Sequence, residues 1–105
     1  MTTVPPNIRA LLGFAKKSGK LLSGEAAVGS ALKRNSAKLV ILACDLPEKR
    51  KTHWESWCQS IKIKYVFLGT KEEFGRILGL SNRGVIAVTD AQMAAVINKQ
   101  LGHTV

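Results

Sequence analysis

An uninterrupted apolar run, Leu-Val-Ile-Leu-Ala-Cys, occupies residues 39–44 of this chain. Apolar and polar side chains do not alternate in it, which is typical of a strand that is covered on both faces. The run is also far shorter than the ~18 residues that a membrane-spanning helix needs. We therefore expect a buried central strand between layers of helices, and no membrane partner.

Helical and strand patterns alternate along the rest of the chain. We predict helices over residues 6–17, 24–35, 48–60, 71–79 and from 91 onward, and strands over residues 21–23, 39–44, 64–68 and 85–89. This alternation indicates an α/β fold, in which a sheet lies between helical layers. At 105 residues the chain has room for one domain, which we take as residues 1–105.

Several helix starts are marked by capping residues. Thr70 and Glu73 have the spacing of a capping box, and Asp90 is placed to cap the last helix. Residues 45–47, Asp-Leu-Pro, are predicted to cap and start the third helix. The last helix is expected to carry the apolar residues Ala94, Ala95, Val96 and Leu101.

The chain is strongly basic, with sixteen Lys and Arg residues against seven Asp and Glu, a formal charge of +9. Residues 1–64 hold twelve of the basic and four of the acidic side chains, so nearly all of the excess lies there. The cations occur in short clusters between apolar segments, which predicts a charged surface on a folded domain rather than a disordered tail. An anionic partner is expected.

The sequence contains no recognisable cofactor or metal motif. Five residues separate Gly13 from Gly19 where a P-loop has four, and Leu21 stands where that motif needs Ser or Thr. His53 and His103 have no carboxylate or thiol at ligand spacing, and the two cysteines form no CxxC pair. We expect no cofactor, no bound metal and no disulfide.

Two features leave a functional and a packing interpretation open. Cys44, followed by Asp45 and with His53 nearby in sequence, could act as a nucleophile, but a buried thiol packed under a helix is favoured. Trp54 and Trp57 could form a platform for unpaired bases, but packing of their helix against the sheet is favoured. Because no pair of carboxylates marks a pocket, we predict that the chain is not an enzyme.

The region from residue 16 to residue 44 combines cations, small residues and a helix start. Gly24 leaves backbone N–H groups free at the head of helix two and adds no side chain there. These donors and the helix dipole form a candidate anion site. The cations expected to lie near it are Lys17, Lys20, Lys33 and Lys38. A plain capping glycine among solubilising lysines is an equally good interpretation.

The order of motifs along the chain resembles a known family. Residues 17–20 read Lys-Ser-Gly-Lys, Gly24 leads a helix, and residues 37–47 read Ala-Lys-Leu-Val-Ile-Leu-Ala-Cys-Asp-Leu-Pro. Residues 68–75 read Leu-Gly-Thr-Lys-Glu-Glu-Phe-Gly. This order is similar to that of the kink-turn RNA-binding ribosomal proteins of the archaeal L7Ae and eukaryotic L30e type, and most similar to the short bacterial YlxQ-type members. The resemblance covers nearly the whole chain.

The resemblance implies a three-layer α/β/α sandwich with a four-stranded mixed sheet, one end of which holds kinked RNA. In the family, the start of helix two contacts sheared G·A pairs, the loop after the central strand approaches them, and the loop before the last strand supports a flipped-out nucleotide. By position, these roles fall on Gly24, Glu25, Ala26, Ala27 and Ser30, on Cys44 and Asp45, and on Asn82, Arg83, Gly84 and Val85.

The implied function is that of a non-catalytic RNA-binding protein associated with the ribosome, whose partner is structured RNA such as ribosomal RNA. We expect a monomer, and a cytoplasmic location because the first residues lack a signal-peptide pattern. Two other functions stay open. One is a protein-interaction module centred on Trp54 and Trp57, and the other is a stand-alone accessory domain for an RNA-modifying enzyme.

The chain departs from the family pattern at the start of helix two. Strong archaeal binders have Asn-Glu there and a Lys one turn later, whereas this chain has Ala26, Ala27 and Ser30. A shift of the alignment by one or two residues would instead give Glu25 the acidic role. Since base-edge contacts specify and phosphate contacts position, the departure predicts general RNA affinity with weaker discrimination of kink-turns.

Overall fold

The central strand is formed by the apolar run. In the computed structural model, which describes residues 3–102, this strand is β2 (Leu39–Leu42), and all four of its side chains are buried. It lies between β4 (Val85–Val88), with which it pairs antiparallel, and β3 (Tyr65–Phe67), with which it pairs parallel. The short β1 (Leu21–Ser23) pairs antiparallel with β4 on the other side. The sheet is therefore four-stranded and mixed, in the order β1-β4-β2-β3.

Five helices cover the two faces of the sheet. They are α1 (Pro6–Lys17), α2 (Glu25–Lys33), α3 (Glu48–Ser60), α4 (Lys71–Leu78) and α5 (Ala91–Gln100). Helix α1 packs on α4 and α5 on one face, and α2 and α3 lie on the other. The predicted α/β/α sandwich is confirmed, and the predicted element bounds agree with the observed ones to within about two residues.

The core fills both spaces between helices and sheet. Its largest fully buried side chains include Ile8, Leu12 and Phe74 from the layer of α1 and α4, and Val28 and Trp54 from the layer of α2 and α3. No helix within residues 3–102 combines the length and apolar character needed to cross a membrane.

Two helix ends match the capping residues predicted for them. The Thr70 side chain accepts from the Glu73 N–H at 3.1 Å, and the Glu73 carboxylate accepts from the Thr70 N–H at 3.2 Å, which completes the capping box. The Asp90 carboxylate accepts from the Met93 N–H at 2.8 Å and so caps α5.

One local prediction is wrong, and the burial pattern of α5 adds a detail that the sequence did not predict. Asp45 does not cap α3, which begins after Pro47 without a side-chain cap; its carboxylate instead accepts from the Lys71 N–H at 3.0 Å, at the start of α4. Helix α5 carries Ala94, Ala95 and Val96 as predicted, but residues 94–96 span about 200° of a helix, so they do not share one side. Met93, Ala94 and Ile97 are buried, and Ala95 and Val96 are exposed.

The Asp90 cap gives a testable stability difference. Asp90→Ala removes the acceptor of the Met93 N–H, so we expect the free energy of unfolding to fall by about 1 kcal/mol in urea titrations. Asp90→Asn keeps a side-chain oxygen at this position and should lose only a small part of that amount. Equal losses in the two variants would contradict a capping role.

Candidate nucleic-acid interface

Three segments that are far apart in sequence meet at one end of the sheet. The Gly24 N–H, just after β1, donates to the Val85 carbonyl at 2.9 Å, and the Ala43 N–H, just after β2, donates to the Gly84 carbonyl at 2.9 Å. The start of α2, the loop after β2 and the loop before β4 are thus adjacent, as predicted. We call this surface, made of residues 24–27, 43–46 and 82–85, the glycine rim.

The first turn of α2 presents unpaired backbone donors at the rim. The Val28 N–H is the first to bond within the helix, to the Gly24 carbonyl at 3.0 Å, so the N–H groups of Glu25, Ala26 and Ala27 precede the helical ladder. No side chain among residues 3–102 caps this end. Gly24 itself has φ +93°, a conformation that L-residues rarely adopt, and its own N–H is already used by Val85. Its role is to turn the chain, and the amides that follow it are the donors.

Gly84 allows the two rim loops to approach closely. A Cβ atom at this position would lie 2.5 Å from Cδ2 of Leu46, a buried side chain in the loop after β2. No real pair of carbon atoms tolerates that distance, so the backbone of one loop packs directly on a side chain of the other. The absence of a side chain at Gly84 therefore sets the shape of the rim.

The cations at the rim are only partly those that the sequence suggested. Arg83 is half-buried and lies over Gly24, since a Cβ at Gly24 would be 3.8 Å from its Cδ and Nε atoms. Its guanidinium donates to Oγ of Ser81 at 2.7 Å and so is held by its own loop. Sequence reasoning missed Lys71, whose Cδ would lie 3.7 Å from a Cβ at Gly84. The sequence places Lys71 directly after the Thr70 cap, at the start of α4, and this position could have indicated that it lies near the rim.

An ion pair joins the starts of α2 and α3. The Arg50 guanidinium donates to both carboxylate oxygens of Glu25, with Nε 3.3 Å from Oε2. Both side chains remain partly exposed, so we expect the pair to contribute little to stability. The pair matters for RNA binding instead, because Arg50 partly neutralises Glu25, the acidic side chain at a position where the family resemblance implies an RNA contact. Arg50 was also missed by sequence reasoning.

The expectation that four lysines surround Gly24 is wrong. The Lys20 carbonyl accepts from the Thr89 N–H, and the Lys38 N–H donates to the Val88 carbonyl, so both residues lie at the far end of β4, about 10 Å from Val85. Lys33 ends α2, about 12 Å along the axis from its first residue. Lys17 ends α1. Strand direction separates residues that are close in sequence.

The two tryptophans pack together between α3 and α2, Trp54 buried and Trp57 half-buried. Trp54 is 1% exposed and stacks on Trp57, with ring centroids 5.4 Å apart and planes at 12°. The Trp57 ring lies against Gly29, whose Cβ position would be 3.4 Å away. The partner of the pair is thus α2 rather than the sheet alone. Ser30, on the same helix, accepts a hydrogen bond from Arg34. A recognition surface centred on both indoles is not supported, because Trp54 is covered.

The two cysteines differ in burial. Cys44 is half-buried in the turn after β2 rather than fully buried as predicted, and Cys58 of α3 is the fully buried thiol. Burial raises the pKa of Cys58 to about 11. Within residues 3–102, no three His, Cys, Asp or Glu side chains are grouped to hold a metal ion, and His103 lies outside this range.

Comparison with known sequences identifies similar proteins. Residues 6–98 match the sequence model of the ribosomal protein L7Ae/L30e/S12e/Gadd45 family. The chain is 37% identical over 87 residues to the large ribosomal subunit protein eL30 of Eremothecium gossypii, covering 81% of this chain and 83% of that protein. It is 34% identical over 97 residues to eL30 of Yarrowia lipolytica, covering 90% and 89%.

Two solved structures share the fold. A Bacillus halodurans protein of unknown function superposes with a TM-score of 0.87 at 30% identity, covering 93% of this chain and 99% of that one. The 15.5kD RNA binding protein of Giardia lamblia superposes with a TM-score of 0.78 over 98% and 94% of the two chains. At 21% identity, the second likeness shows the fold alone.

The contact of Gly84 with Leu46 predicts a coupled pair of substitutions. Gly84→Ala places a methyl group where Leu46 already lies, so we expect a loss of about 1–3 kcal/mol in the free energy of unfolding. In Gly84→Ala/Leu46→Ala the clash is removed, and the combined loss should be smaller than the sum of the two single losses. Additive losses in urea titrations would show that the two loops do not pack as described.

The two thiols should differ in reactivity. At a pH of about 8, a pKa near 11 leaves only ~0.1% of Cys58 as the thiolate that reacts, and the sulfur is also buried. We therefore expect iodoacetamide to modify native protein at Cys44 and to reach Cys58 only in denaturant, as measured by mass spectrometry. Cys44→Ser is the control and should leave the native protein unmodified. Modification of native Cys58 at the rate of Cys44 would contradict its burial.

Proposed function

Since the chain belongs to the ribosomal protein L7Ae/L30e/S12e/Gadd45 family, we propose that it is a non-catalytic, ribosome-associated protein that binds structured RNA at the glycine rim. The observation that carries this proposal is the meeting of the α2 start, the loop after β2 and the loop before β4 at one edge. These are the three segments to which the family resemblance assigns RNA contacts. The family consists of ribosomal proteins rather than enzymes.

The rim offers suitable chemistry for an RNA backbone and for exposed base edges. The unpaired N–H groups at the start of α2 are donors at the positive end of a helix dipole, where phosphate binds well. Ala26 and Ala27 are small, so a backbone can approach these donors closely. Arg83 adds a partly exposed guanidinium beside them, and guanidinium groups bind phosphate or guanine with two parallel hydrogen bonds. RNA presents such groups at bulges and kinks.

We assign the individual roles as the resemblance implies them. The first turn of α2, from Gly24 to Ala27, with Ser30 one turn later, would contact sheared G·A pairs of a kink-turn. Cys44 and Asp45 would approach the same pairs. Residues 82–85 would support a flipped-out nucleotide. The contact of Gly84 with Leu46 holds the second and third segments in a fixed relation, which supports one continuous binding edge.

Discrimination of kink-turns is expected to be modest. Ala26 and Ala27 carry no group that reads a base edge, and Ser30 is engaged by Arg34. Glu25 is the acidic side chain nearest the helix start and is paired with Arg50, so a base must compete with a guanidinium for its oxygens. We therefore propose that phosphate contacts supply most of the affinity. Ribosomal RNA is the proposed partner, bound by a monomer in which residues 1–105 form one domain.

Arg83→Gln tests the rim directly. Loss of one phosphate contact should lower the affinity for a kink-turn RNA and reduce the slope of log K against log salt by about 0.7–0.9, as measured by fluorescence anisotropy. Arg9→Gln is the matched control, since Arg9 lies on α1 and bonds only to the Val4 carbonyl among the residues described. It should bind as the unmodified protein does.

The same assay separates affinity from discrimination. Replacing the tandem G·A pairs with Watson–Crick pairs in the RNA should weaken binding of the unmodified protein only moderately. Equal binding by the Arg83→Gln variant and the unmodified protein would remove the rim from the interaction, and no binding of either RNA at about 50 mM salt would refute the proposal.

A further inference from the structure

Half of the basic side chains lie at the end of the sheet opposite the glycine rim. We call this surface the lysine end. It consists of the basic residues at or just after the C-terminal ends of α1, α2 and α3, and of those just before β1, β2 and β3. They are Lys16, Lys17, Lys20, Lys33, Arg34, Lys38, Lys62 and Lys64, eight of the sixteen in the chain.

The sheet topology brings these residues together. Strands β2 and β3 are parallel, and β1 and β2 both pair antiparallel with β4, so β1, β2 and β3 start at the same edge. Lys20 and Lys38 flank the end of β4 through backbone hydrogen bonds of 2.9 and 2.8 Å, and the Lys64 carbonyl accepts from the Val40 N–H at 3.0 Å. With neighbouring strands about 4.8 Å apart, these three positions form a row about 14 Å long.

The segments that carry these cations, residues 16–20, 33–38 and 62–64, contain no acidic residue. From other segments, Asp90 lies 4.0 Å from Lys20, and the Glu55 carboxylate accepts from the hydroxyl of Tyr65, which follows Lys64 in sequence. Lys17, Lys33 and Lys38 are exposed and make no side-chain hydrogen bond or ion pair with any described residue. Their ammonium groups are available to an anion in solution.

Helix stabilisation does not account for the whole cluster. Cations in the last turn of a helix interact favourably with its dipole, which explains residues such as Lys17 and Lys33. Lys20, Lys38 and Lys64 lie beyond the helix ends, at the starts of strands, where no such benefit applies. The three residues lie along one end of the sheet, at the starts of β1, β2 and β3, which suits a ligand that carries several negative charges in a row.

We propose that the lysine end binds the phosphate backbone of a second RNA segment, so that the protein bridges two RNA elements. Ammonium groups act as point charges without the geometry that reads bases, so the site should prefer backbone over sequence. An RNA duplex suits it, because its bases are hidden and its backbone is exposed. The bridging part rests on the proposed function of the glycine rim, whereas binding at the lysine end does not.

A direct test uses a fluorescent RNA duplex of about 16 base pairs without bulges. The test variant is Lys17→Gln/Lys33→Gln/Lys38→Gln. The control variant is Arg9→Gln/Arg76→Gln/Lys99→Gln, which has the same net charge but changes only α1, α4 and α5. We expect the first to reduce the slope of log K against log salt by about 2 to 3, at about 0.9 per contact, and the control to leave it near that of the unmodified protein.

Bridging is tested with a kink-turn RNA fixed on beads. The unmodified protein should retain the fluorescent duplex on the beads. The triple lysine variant should bind the fixed RNA but fail to retain the duplex. Arg83→Gln should bind the fixed RNA more weakly and keep its affinity for the duplex in solution.

Equal duplex binding by the two triple variants would overturn the lysine end as a site. Binding of polyglutamate as strongly as the duplex would overturn its assignment to RNA. If the protein bound the duplex but not the kink-turn RNA, only the proposed function of the glycine rim would be refuted.

Discussion

The antiparallel pairing of β2 with β4 is the interaction on which the rest of the structure depends. Both strands are fully buried, and each residue of one pairs with a residue of the other over their whole lengths. Because β4 runs against its neighbours, it places the loop of residues 82–85 beside Gly24 and Ala43 at one edge. The same pairing places Lys20 and Lys38 together at the other edge. Both proposed binding surfaces are consequences of this arrangement.

The two ends of the sheet offer different chemistry to a polyanion. At the glycine rim, backbone donors and the Arg83 guanidinium are held in a fixed geometry by close packing, of which the contact between Gly84 and Leu46 is the clearest example. At the lysine end, long ammonium side chains form a diffuse positive field. The first suits an RNA of defined shape, whereas the second suits any phosphate backbone and should depend strongly on salt. A protein with both is suited to hold two RNA elements in proximity.

Sequence patterns predicted the helices and strands well because the interactions that start and end these elements join residues close in sequence. The capping box at Thr70 and Glu73 and the cap at Asp90 depend on residues three positions apart, and they occur as predicted. Asp45 shows where such reasoning ends. Its carboxylate had the right position in sequence to cap α3, but it bonds to the Lys71 N–H instead, across two loops. Only the packing of those loops decides which helix end is nearer.

The sequence by itself determined the α/β class, the buried central strand and most helix ends, since periodicity and caps act within a few residues, and the three segments of the rim followed from the family resemblance. Tertiary structure alone decided which charges accompany those segments. Lys20 is four residues from Gly24 in sequence but lies at the opposite end of β1, because an extended strand separates its two ends by about 3.3 Å per residue. Arg50 lies on α3 and Lys71 begins α4, and both reach the rim because the strands before these helices, β2 and β3, end there.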